Sequence, residues 1–123
     1  EEYKIGDEIR ASIFSPGESV DVVGISKGRG FQGVVKRHHF AGGRETHGSN
    51  FHRRPGSIGQ SADPSRVFRG MKMPGRMGGK QKTIMGLQVV KVDKERNLLL
   101  VRGAVPGFNG NYIYILKNSF KRR

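Results

Sequence analysis

The chain has 123 residues, nineteen glycines, five prolines, no cysteine and a formal net charge of +13. That length makes a single domain, 1–123. The missing cysteines exclude a disulfide scaffold or a zinc ribbon and fit a reducing compartment, and no apolar run is long enough to span a bilayer. The charge is unevenly spread: residues 1–26 carry a net of −4, residues 27–82 a net of +11 and residues 83–123 a net of +6, part of it in Lys121-Arg122-Arg123. A concentrated basic block raises the local potential and suits a polyanionic partner. The first residues are Glu1-Glu2-Tyr3, with no initiator methionine and no signal-type apolar region, and the chain is read as part of something longer.

Along the chain, Glu8 to Phe14 alternates Ile9, Ala11 and Ile13 with polar neighbours, the period of a half-buried strand. Ser15-Pro16-Gly17 interrupts it and Val20 to Ile25 resumes with β-branched residues, so a hairpin is expected.

Residues 27–82 follow as an insertion. They hold thirteen Lys or Arg against Glu45 and Asp63, all four histidines, twelve glycines and no leucine. So few apolar anchors cannot offset the entropy of ordering the backbone, so the segment is expected to be largely irregular and to need an anionic partner. Only Phe31 to His38 suggests a helical turn, with Lys36 and Arg37 at the end that favours cations. Basic and aromatic residues alternate with glycine, a composition suited to approaching phosphates, turning often and stacking on bases. The candidate RNA contacts in the first half are Lys27, Arg29, Lys36, Arg37, His38, His39, Arg44 and His47. Those in the second half are His52, Arg53, Arg54, Arg66, Arg69, Lys72, Arg76, Lys80 and Lys82.

Beyond the insertion, Thr83 to Val92 is rich in Ile, Leu and Val, Asp93 to Asn97 is a charged turn, and Leu98 to Val101 reads as a strand buried on both faces. Pro106 to Gly110 is dense in turn residues, and Tyr112 to Leu116 reads as a last strand. The expected fold is mainly β: a small antiparallel, Greek-key-like β-barrel with strands from 1–26 and 83–123, interrupted by an extended basic loop over 27–82.

Two glycine-rich strings invite an enzymatic reading. Gly28-Arg29-Gly30-Phe31-Gln32-Gly33 fits the letters of a dinucleotide-binding turn, but neither acid of the insertion lies at the distance that would hold a ribose. Gly75 to Lys80 is one residue short of a phosphate loop, and Gln81 stands where Ser or Thr is required. The histidines lack the cysteines and carboxylates of a metal site and sit in a positive field, so no metal or cofactor is expected. No catalytic pairing is visible, and Met71, Met73 and Met77 are read as adaptable packing.

Long strings then carry a family resemblance. Residues 26–38 (SKGRGFQGVVKRH), 53–59 (RRPGSIG), 66–73 (RVFRGMKM), 75–79 (GRMGG) and 97–107 (NLLLVRGAVPG) resemble the bacterial-type form of large-subunit ribosomal protein three, in order and through nearly the whole chain. The resemblance implies a barrel of the translation-protein type and an extension that penetrates ribosomal RNA, deepest around His47 to Arg76. It also implies binding near the 3′ end of the large-subunit RNA, early action in assembly, and reach toward the peptidyl transferase centre. Its expected partners are that RNA and neighbouring ribosomal proteins, with no membrane and no small-molecule substrate. Its expected place is the cytoplasmic ribosome, an organellar ribosome being the open alternative. In bacterial members the glutamine of a Gly-Gln pair is N5-methylated, and Gln60 after Gly59 matches that position. The family's N-terminal part, with a first barrel strand, has no counterpart here, so an open barrel edge is expected. The rival readings are a non-ribosomal nucleic-acid-binding β-barrel and a nucleotide-dependent enzyme using Gly28 to Gly33.

Overall fold

A computed structural model describes residues 4–117, which leaves Lys121-Arg122-Arg123 outside the described residues. Two units separate by their internal contacts: residues 28–79, and the flanking stretches up to Lys27 and from Lys80.

The flanking unit is built on strand β1 (Ser19–Ile25), whose run of β-branched residues suits a pleated, buried surface. The remaining strands of this unit are β4 (Gln81–Asp93), β5 (Leu98–Arg102) and β6 (Ile113–Lys117). They form one antiparallel sheet in the order β5-β4-β1-β6. Val20 pairs with Leu87 and with Lys117, and Val22 with Ile84 and Ile115, so β1 is held on both sides. On one face Val20, Val22, Leu87 and Val89 are buried together, with Phe14, Ile84, Val92, Leu99, Val101 and Ile115 packed against them. Each fully buried valine contributes about 2 kcal/mol of hydrophobic stabilisation.

β4 is long and bends twice. Its pairing slips by one residue between Val20 and Val22 of β1, and again between its own Val89 and Lys91 against β5. At the first bulge Gly86 takes φ +73°, and its N–H donates to Asp21 Oδ1 at 2.8 Å. The β4–β5 turn is organised by Asp93 Oδ1, which accepts from the N–H groups of Glu95 and Arg96. Asn97 closes that turn at φ +52°.

Four sequence expectations change. Glu8 to Phe14 forms no strand: Ala11–Ile13 is a single 3₁₀ turn, and Ala11 N–H donates to Asn97 Oδ1 at 2.7 Å. Both sides of β1 are taken by β4 and β6, so this weakly apolar segment has no edge there to join. β5 is not buried on both faces: Leu99 and Val101 face the core, while Leu98 and Leu100 are nearly half exposed. It is an outer strand of an open sheet, and no barrel closes among the described residues. Finally, Lys82 belongs to β4, paired with Gly24, rather than to the irregular insertion. The antiparallel, mainly β character, the β4–β5 hairpin, β1 and β6 appear where expected.

At the junction Ser26 N–H donates to Lys80 O at 2.9 Å, and Ser26 Oγ donates to the same oxygen at 3.1 Å. The chain thus leaves and rejoins the sheet at adjacent positions. Among the described residues no helix is long and apolar enough to cross a membrane.

Candidate nucleic-acid interface

Residues 28–79 contain little regular structure: β2 (Phe31–Gln32), the five-residue helix α1 (Val34–His38) and β3 (Gly75–Arg76). Val34 is the one buried hydrophobic residue among them. Order comes instead from hydrogen bonds at a few crossings.

The first crossing joins the outgoing and returning chain. β2 pairs antiparallel with β3, Phe31 opposite Arg76 and Gln32 opposite Gly75. Just outside that ladder, Arg29 N–H donates to Met77 O and Met77 N–H to Gly30 O, both at 2.9 Å. Beside it the Met73 carbonyl accepts twice, from Arg37 Nη1 at 2.7 Å and from His38 Nε2 at 3.0 Å. A carbonyl only accepts, so Nε2 carries the proton of that ring. Gly75 makes room for this arrangement, because a Cβ there would collide with the Arg37 guanidinium. α1 ends on His39 in the left-handed conformation, φ +60°, with its N–H on Val34 O.

A second crossing pinches the loop 43–52. Gly43 N–H donates to His52 O at 2.9 Å, and His52 Nδ1 donates to Arg44 O at 2.9 Å. A Cβ on Gly43 would run into Phe51 O, so only glycine permits this approach. Another loop spans 57–67, where Ser65 N–H donates to Ser61 O and Ser57 Oγ to Gly59 O. Gln60 lies exposed on it.

Fifteen of the seventeen candidate contacts are exposed; Arg37 and His38, both half-buried on Met73, are the exceptions. Among the described residues the salt bridge is Arg10–Glu8, and no cation of 27–82 takes part in one. Among the described residues, then, no ion pair neutralises their positive charge. Two guanidinium groups lie over aromatic rings: Arg54 is 5.6 Å from the Phe51 centroid and Arg66 is 5.8 Å from that of Phe68. Sequence proximity alone does not tell which basic neighbour meets Phe51 or Phe68. It also missed the Gly43 and Gly75 approaches, for which the Gly42-Gly43 pair and the Pro74-Gly75 step were the available signals.

The enzymatic strings do not acquire their context. Gly28 to Gly33 leads into an antiparallel pair and one helical turn, not a parallel βαβ unit. Among the described residues no three His, Cys, Asp or Glu side chains group as a metal site would require. Met73 and Met77 are half-buried at the first crossing, whereas Met71 is exposed.

Comparison with known proteins gives one answer. The family described as ribosomal protein L3 matches residues 4–98. The large ribosomal subunit protein uL3 of Geobacter metallireducens is 60% identical over 121 residues, covering 98% of this chain and 57% of that protein. The uL3 of Syntrophus aciditrophicus is 56% identical over 119 residues, 97% of this chain and 55% of that protein. That of Heliobacterium modesticaldum is 55% identical over 123 residues, 100% of this chain and 58% of that protein. The chain thus spans a little over half the length of these relatives.

Proposed function

From the premise that this chain belongs to the ribosomal protein L3 family, a structural family and not an enzyme family, we propose that residues 28–79, together with Lys27, Lys80 and Lys82 of the flanking unit, form an rRNA-binding extension. The observation that carries this reading is the set of fifteen exposed Lys, Arg and His residues, none of which takes part in a salt bridge among the described residues. Such cations displace counterions from phosphates, and a glycine-rich backbone passes between RNA helices where bulkier chains would not fit.

The RNA is the large-subunit rRNA near its 3′ end, the extension points toward the peptidyl transferase centre, and the protein acts early in subunit assembly in the cytoplasmic ribosome. Neighbouring ribosomal proteins complete its surroundings. The family resemblance supports these finer statements. The flanking sheet is part of a barrel that further strands complete; the two bulges of β4 support this, as do the exposed Leu98 and Leu100 on β5 and Tyr114 and Leu116 on β6. Gln60 is the methylation site, and its exposure leaves it open to a modifying enzyme. A gain of one methyl on the native peptide containing Gln60 supports that assignment, and an unshifted mass removes it.

The test of the main reading is competition. A fragment from the 3′ region of large-subunit rRNA should displace a generic RNA duplex of equal length from the chain, and the reverse exchange should fail. Equal affinity for both would point instead to a general nucleic-acid-binding protein.

A further inference from the structure

We propose that the two arginine-on-phenyl stacks, Arg54 on Phe51 and Arg66 on Phe68, are sockets that each take one unpaired RNA base. The proposal rests on the RNA-binding reading and adds what kind of RNA the extension holds.

Each stack borders an open hollow. The first hollow is lined by Phe40, Phe51, Arg54 and Pro55 with Gly42, Gly43 and Gly56. The three glycines leave part of its wall without side chains, which suits a flat ring. The second is lined by Arg66, Val67, Phe68 and Arg69. In both, the phenyl ring stays about half exposed, 57% for Phe51 and 48% for Phe68, so neither serves as core. Neither Arg54 nor Arg66 makes an ion pair or a side-chain hydrogen bond among the described residues. Among the described residues, each guanidinium lies over its ring.

This combination has a specific chemical meaning. An exposed phenyl face and a planar guanidinium are the two surfaces on which a nucleobase stacks, and the unused N–H donors of the arginine remain for the adjoining phosphate. A duplex cannot use them, because its base faces are already stacked and its deep major groove excludes side chains. Single-stranded loops and bulges offer both base face and phosphate. Cations alone bind either form of RNA; the sockets add a preference for the unpaired form.

The test titrates the chain with single-stranded oligoadenylate and with an RNA duplex of equal phosphate count at one salt concentration. Phe51→Leu and Phe68→Leu should each weaken oligoadenylate binding about tenfold and leave duplex binding unchanged. Phe51→Trp and Phe68→Trp, which keep a stacking face, should bind oligoadenylate at least as well as the parent. The sockets are overturned if the leucine variants hold oligoadenylate like the parent, or if tryptophan fails to preserve binding. They are overturned equally if both RNAs are lost together, since the rings would then be structural supports and not surfaces free for a base. In the first case retained duplex binding leaves the RNA-binding reading intact, whereas a parent chain that binds neither RNA overturns both.

Discussion

In the flanking unit Val20, Val22, Leu87 and Val89 bury one another beneath a four-stranded ladder, whereas in residues 28–79 Val34 alone is buried. The first unit is held mainly by apolar area and a four-stranded antiparallel ladder. The second is held at crossings by single hydrogen bonds, often to one carbonyl, and by glycines that let backbones meet. Each kind of side chain has its own place: apolar groups of the flanking unit are buried in its sheet, and most cations of residues 28–79 stay exposed. A segment that satisfied its own charges would have little left to bind RNA with.

Substitutions should separate the two modes. Val22 is fully buried, so Val22→Asp places an unpaired carboxylate in the core and should abolish the cooperative urea transition of the sheet; an unchanged midpoint would break the distinction. The milder Val22→Ala should cost about 2 kcal/mol. Gly43→Ala sets a methyl against Phe51 O and should cost about 1–3 kcal/mol, confined to its own loop. Hydrogen exchange reads this directly: the Gly43 amide should exchange faster while the β1–β4 amides keep their rates. Arg37 and Arg53 sharpen the comparison further. Arg37→Gln loses a charged hydrogen bond to Met73 O, worth about 1.5–3 kcal/mol locally, and should shift the NMR signals of residues around Met73. Arg53→Gln should leave those signals in place and lower the salt slope of RNA binding by about 0.7–0.9. The smallest effect is expected at Asn97→Ala, which removes the bond to Ala11 N–H and should cost about 1 kcal/mol of sheet stability in a urea melt.

The sheet was legible wherever β-branched and apolar residues clustered. Val20 to Ile25, Thr83 to Val92, Leu98 to Val101 and Tyr112 to Leu116 all lie in strands over most of their length, and the one helical turn falls within Phe31 to His38. What stayed hidden depends on long-range geometry. Strand order places β1 between β4 and β6, and nothing local in Glu8 to Phe14 announces that β1 has no side left for it. Leu98 and Leu100 looked like core because composition does not tell an outer strand from an inner one. At the interface, charge and glycine content marked the segment, yet a cation that binds RNA and one that holds the chain look alike in a string of letters. What sets Arg37 apart from the exposed Arg53 is its half-buried contact with Met73 O, thirty-six positions away.

The central claim is that the unneutralised cations of residues 27–82 bind RNA through its phosphates. It is tested most directly by measuring the affinity of the chain for a large-subunit rRNA fragment as salt is raised. With six to ten phosphate contacts, affinity should fall about a thousandfold or more between about 50 and about 200 mM salt, linearly on a double-logarithmic plot. Affinity that stays flat across that range would contradict the account.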